Sequence, residues 1–66
     1  MNKMSSDYIV TYITNDNRLQ MNGAKDELAA EREAYNNVHV WKRASEAIVA
    51  EKKTGKILYH YKKEDF

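Results

Sequence analysis

The side chains best suited to acid–base work or metal binding in this 66-residue chain are two histidines, His39 and His60. A metal would also need cysteine or a spaced set of carboxylates. The chain has no cysteine, and neither histidine belongs to a recognisable ligand spacing, so the sequence predicts no metal and no cofactor. Glu27 and Glu31 lie one helical turn apart and read as solvated charge, not as an acid–base pair. Lys53-Thr54-Gly55 spells a triplet that serves serine acyl-enzymes, but that chemistry needs a Ser-x-x-Lys partner and a far larger fold, so here it reads as a turn. With only two glycines, neither a Gly-x-Gly-x-x-Gly turn nor a P-loop can form. Lys42-Arg43-Ala44-Ser45 has the form of a basophilic phosphorylation site, a pattern common by chance. Nothing pairs a nucleophile with a base, and the expectation is a protein that is not an enzyme.

Charge narrows the partners. Eleven basic and ten acidic side chains leave a net charge of +1, too balanced for a protein held to nucleic acid by bulk charge. The balance is uneven along the chain, with acids in excess up to Asn37 and bases in excess after it. No apolar run is long enough to span a bilayer, which predicts no membrane partner. The first residues lack the apolar segment of a secretion signal, and with the missing cysteines this leads to a cytoplasmic expectation.

The elements that must position any site are short. The expected organisation is a flexible N-terminus at 1–7, one domain at 8–63 and a tail at 64–66. Tyr8 to Thr14 is all β-branched or aromatic and predicts a first strand. Asn15-Asp16-Asn17 is a turn, and Arg18 to Met21 alternates polar and apolar as a short return strand. Ala24 to Tyr35 is rich in Ala, Leu, Glu, Lys and Arg and predicts the one helix, with Ala24, Leu28 and Tyr35 as its apolar stripe and Leu28 as its anchor. Val38 to Trp41 reads as a third strand. Residues 41–53 also carry helical spacing, but a hairpin of 46–52 with 56–62 about a Lys53-Thr54-Gly55 loop fits better. Its register pairs Glu46 with Lys62, Ala47 with Tyr61, Ile48 with His60, Val49 with Tyr59 and Ala50 with Leu58. The fold class is α+β: a small antiparallel sheet of four to five strands in ββαβββ order, with one helix packed on one face.

The first strand, the third and the 46–62 hairpin are largely apolar on both sides, whereas a sheet with one wet face alternates cleanly. One short helix covers one face only. The aromatic side is expected to stay open, because Tyr and Trp tolerate a half-wet surface. The predicted binding surface is therefore Trp41, Arg43, Tyr59, Tyr61 and Tyr12, with the helix acids Asp26, Glu27, Glu31 and Glu33 as second choice. A small chain with no chemistry of its own acts by covering a surface. The expected function is a protein-binding module, an inhibitor or modulator of a larger protein of the kind phages and mobile elements encode, or else a homodimer. The alternative is a single-stranded nucleic-acid binder that stacks bases on Trp41, Tyr59 and Tyr61 beside Lys42, Arg43, Lys56, Lys62 and Lys63.

Overall fold

The computed structural model of the protein describes residues 7–63. The segments expected to be loose, residues 1–6 and 64–66, lie outside the described residues. Asp7, the first described residue, precedes β1, and its carbonyl accepts the Lys52 N–H at 2.9 Å.

Four strands, β1 (Tyr8–Thr14), β2 (Leu19–Ala24), β3 (Ala44–Glu51) and β4 (Ile57–Lys62), form one antiparallel sheet in the order β2-β1-β3-β4. A single helix, α1 (Glu27–Tyr35), crosses between β2 and β3 and packs on one face. The α+β expectation thus holds with four strands. Helix α1 starts three residues later than its composition suggests. Asp26 stands in extended backbone and its carboxylate accepts the Ala29 N–H at 2.8 Å, an N-cap that sets the start. Ala24 ends β2, and Lys25 lies in the bend between strand and cap.

The third predicted strand, Val38 to Trp41, is not a strand. Asn36–Val40 forms a π-helical turn that continues α1, closed by the Trp41 N–H on the Asn36 carbonyl at 2.6 Å. Packing overrides the β-propensity of these residues. Val38 lies eight residues beyond Ala30 and four beyond Ala34, and all three are buried on the same side. Asn37 secures the widened turn by donating its amide to the Glu33 carbonyl at 2.9 Å and to the Tyr12 hydroxyl at 3.2 Å. Lys42, at φ 55°, then reverses the chain into β3.

The β3–β4 register matches the sequence reading from Glu46↔Lys62 to Val49↔Tyr59. The loop is one residue longer than expected: Glu51 N–H donates to the Lys56 carbonyl, and Gly55 N–H donates to the Glu51 carbonyl. A β-bulge after Val49 sets Ala50 opposite Ile57 and restores the register. Gly55 takes the left-handed conformation the turn requires, at φ 78°. Thr54 is more than loop filler. Its hydroxyl donates to Glu51 at 2.7 Å and accepts the Lys56 N–H at 3.1 Å.

The core is small: Val10, Tyr12, Ala30, Ala34, Val38, Ala44, Ala47 and Val49, with Tyr8, Ala24, Tyr59 and Tyr61 packed around it. The stripe that seats the helix is Ala30, Ala34 and Val38, and not Ala24, Leu28 and Tyr35. Leu28 is 65% exposed and Tyr35 44% exposed, while Ala24 belongs to β2. The sheet supplies the bulk through valines and tyrosines, so the helix must supply small residues to come close. Replacing Leu28 with Ala is accordingly expected to change stability by no more than about 0.5 kcal/mol. Ala34→Leu forces volume into a filled contact and should cost roughly 1–3 kcal/mol. Urea denaturation followed by circular dichroism checks both, and a large loss at Leu28 with none at Ala34 would reverse the seating of the helix.

Candidate functional site

Side chains alternate across each strand, so burial of Tyr8, Val10, Tyr12, Ala47, Val49, Tyr59 and Tyr61 toward α1 fixes the rest of both faces. The aromatic face is the covered one. This corrects the expectation that it stays open, and the cause lies in the helix. Glu27 and Glu31, one turn apart, stand over Tyr59 and Tyr61, which are two residues apart on one side of β4. Tyr59 donates its hydroxyl to Glu27 at 2.8 Å, and Tyr61 donates to Glu31 at 2.6 Å. Tyrosines under a helix satisfy their polar ends with its acids, so they need no water.

The two phenol rings stack at 6.4 Å and 4°. Tyr61 also meets Tyr35 edge-on at 5.5 Å and His39 at 5.8 Å. Burial, with the Glu31 hydrogen bond and charge added, pushes the Tyr61 hydroxyl up to about 12. The hydrogen bond to Glu27, aided by burial, raises Tyr59 above the ordinary tyrosine value. Tyr12 is raised as well, mainly by burial and then by the charge of Glu33.

The five residues predicted as one patch therefore divide. Tyr59 and Tyr61 are half-buried beneath the acids, and Tyr12 is core. Trp41 and Arg43 do come together on the surface, with the Arg43 guanidinium carbon 5.3 Å from the Trp41 ring centre and Trp41 50% exposed. They flank a polar cleft of about 360 Å³ whose other walls include Tyr12, Asn22, Glu33 and Asn37. Of the helix acids, Asp26 is spent on its cap. Glu27 and Glu31 accept from tyrosines, and Glu33 accepts the Asn22 amide at 3.5 Å. All four serve the fold.

The opposite face of the sheet carries no described element. Three cross-strand rows run over it: Leu19, Ile13, Glu46 and Lys62; Met21, Thr11, Ile48 and His60; and Gly23, Ile9 and Ala50, which ends at Ile57 beside Leu58. Leu19 is 73% and Met21 63% exposed. The face is polarised. Its β1–β2 half is aliphatic, whereas its β3–β4 half carries Glu46 and Lys62, with His60 paired to Glu46. The sequence reading named none of these aliphatic residues as a site. The available signal was the spacing of Ala30, Ala34 and Val38, which marks the helix side that meets the sheet and turns Glu27 and Glu31 toward the tyrosines.

No helix among the described residues is long and apolar enough to cross a membrane. No family model, no curated protein and no solved structure matches this chain.

The tyrosine–glutamate bonds give the fold an alkaline limit. Tyr61 has a folded value raised from the ordinary 10.0 to about 12. Its contribution is thus fully present below pH 10 and is lost as pH rises toward 12. In wild type the urea midpoint should fall between pH 10 and about 12, a window set by those two values. Tyr61→Phe should lose on the order of 1 kcal/mol at pH 7 and show a shallower fall. Equal slopes for the two proteins would show that the Glu31 bond does not couple to folding.

Proposed function

We propose that the chain is a non-enzymatic protein-binding module whose contact surface is the open aliphatic face of the sheet. The observation that carries this reading is a contiguous set of large apolar side chains, Leu19 and Met21 exposed and Ile9, Ile13, Ile48 and Leu58 half-buried, on the face of the sheet opposite α1. Contiguous apolar surface of this sort marks interaction sites, and a charged margin such as Glu46, His60 and Lys62 is the usual rim. The same geometry supports action as an inhibitor or modulator of a larger protein. A chain of this size, with its histidines apart and its helix acids engaged by the fold, acts by occupying a surface.

The nucleic-acid reading has less support. Two of its three stacking residues, Tyr59 and Tyr61, point into the helix, and the carboxylates of Glu27 and Glu31 stand where phosphates would have to run. Trp41 with Arg43 is the remnant of that platform.

Tagged protein, cross-linked in its source cells and quantified by mass spectrometry, tests the proposal. Thr11→Lys and Leu58→Lys place a charge on the open face and should reduce recovery of a specific partner by tenfold or more, consistent with the ~2 kcal/mol of an interface anchor. Leu28→Lys, on the outer side of the helix, should leave recovery unchanged. If recovery survives both face variants and fails with Trp41→Ala, the site is the Trp41–Arg43 corner instead.

A further inference from the structure

The sheet has two edge strands, and they are built differently. Strand β4 carries His60 and Lys62 and is flanked by Lys56 and Lys63, a charged margin that discourages pairing with another chain. Strand β2 has neither a charge nor a proline from Leu19 to Ala24, and its two large apolar side chains, Leu19 and Met21, are both exposed.

The backbone of β2 sets which groups it offers. The Thr14 N–H donates to the Arg18 carbonyl at 2.8 Å, and the β1–β2 register continues unbroken from there to Tyr8↔Ala24. Hydrogen-bonded and non-bonded pairs alternate in an antiparallel ladder, so Gln20, Asn22 and Ala24 bond to β1. Leu19, Met21 and Gly23 then turn their N–H and C=O groups away from the sheet.

We propose that β2 pairs antiparallel with β2 of a second copy of this chain about a two-fold axis at Met21, joining two sheets into one of eight strands. The outward groups select that register. Met21 faces its own symmetry mate and Leu19 faces Gly23, giving about six main-chain hydrogen bonds from three residues on each copy. A glycine opposite leucine leaves room for the larger side chain. Gln20 faces Asn22 on the helix side, where both copies are polar. Each end of the strand is net neutral, with Asp16 paired to Arg18 before β2 and Lys25 beside Asp26 after it, so antiparallel pairing brings no net like charge together. The same contact places the aliphatic halves of both open faces at the centre of the combined sheet and the Glu46, His60 and Lys62 margins at its outer sides. An isologous contact of this form closes on itself and leaves no further β2 edge to propagate.

The test combines mass with amide exchange on the full chain. Sedimentation equilibrium at micromolar concentration should give twice the 7.7 kDa chain mass. Met21→Lys and Met21→Glu place like charges at the axis, so each alone should be monomeric, while a one-to-one mixture should regain the dimer. A second measurement needs no substitution. Raising the concentration should slow hydrogen exchange at Leu19, Met21 and Gly23 and leave Gln20 and Asn22, already bonded within the sheet, unchanged. A wild-type monomer throughout the micromolar range would overturn the proposal. So would a dimer that survives both charge variants, or one whose protection falls on β4 or on Trp41. Loss of the dimer with partner recovery intact would separate this contact from the open-face site, because Leu58 lies on β4, with β1 and β3 between it and β2.

Discussion

The structure depends on how closely one nine-residue helix approaches the sheet. Ala30 and Ala34 are fully buried and Val38 nearly so, and they meet a sheet face filled by Val10, Val49 and tyrosines. Methyl groups on the helix let the backbone come near, and valine and tyrosine on the strands fill the space. Once seated in this way, the helix necessarily hangs Glu27 and Glu31 above Tyr59 and Tyr61, and its acids become acceptors for phenol hydroxyls. The π-helical turn follows from the same constraint, since it keeps Val38 in the contact while Asn37 bonds the Glu33 carbonyl and the Tyr12 hydroxyl.

That seating decides where a function can reside. It uses the aromatic face and the acids together and leaves the aliphatic face without a cover. A chain this small gains only a few kcal/mol from a single core. Leaving Leu19, Met21, Ile48 and Leu58 outside that core leaves apolar surface that the proposed contact with another protein would bury. The polarity of the face gives direction to this argument. Its aliphatic half adjoins the uncharged β2 edge, and its charged half adjoins the lysine-rich β4 edge.

Much of the framework was legible in the residues. The β-branched and aromatic run from Tyr8 to Thr14 leaves no alternative to a strand, and the hairpin register from Glu46 to Val49 agrees with the sequence reading, although it rests on a longer turn and a bulge after Val49. The α+β class follows from those two facts and one helix. Two features were not legible. Val38-His39-Val40-Trp41 has strand propensity, and only the tertiary contact of Val38, with the hydrogen bonds of Asn37, makes it helical. The expected choice of covered face turned on the tolerance of Tyr and Trp for a half-wet surface, and the expected anchor was Leu28, the one large aliphatic residue of the helix. Hydropathy does not register that a tyrosine with a carboxylate above it can be covered, nor that two alanines pack a short helix better than one leucine. The candidate site moved with that choice. Trp41 and Arg43 do meet on the surface, but Tyr12, Tyr59 and Tyr61 belong to the fold.

The central claim is that the tyrosine face lies under the helix and the aliphatic face lies open. Methyl-resolved NMR with a soluble paramagnetic relaxation agent tests it directly. The methyls of Leu19, Met21, Ile48 and Leu58 should relax strongly, while those of Val10, Val49, Ala30 and Ala34 should be protected. Protection of Ile48 and Leu58 together with strong relaxation of Val10 and Val49 would place the helix on the other face and contradict the account.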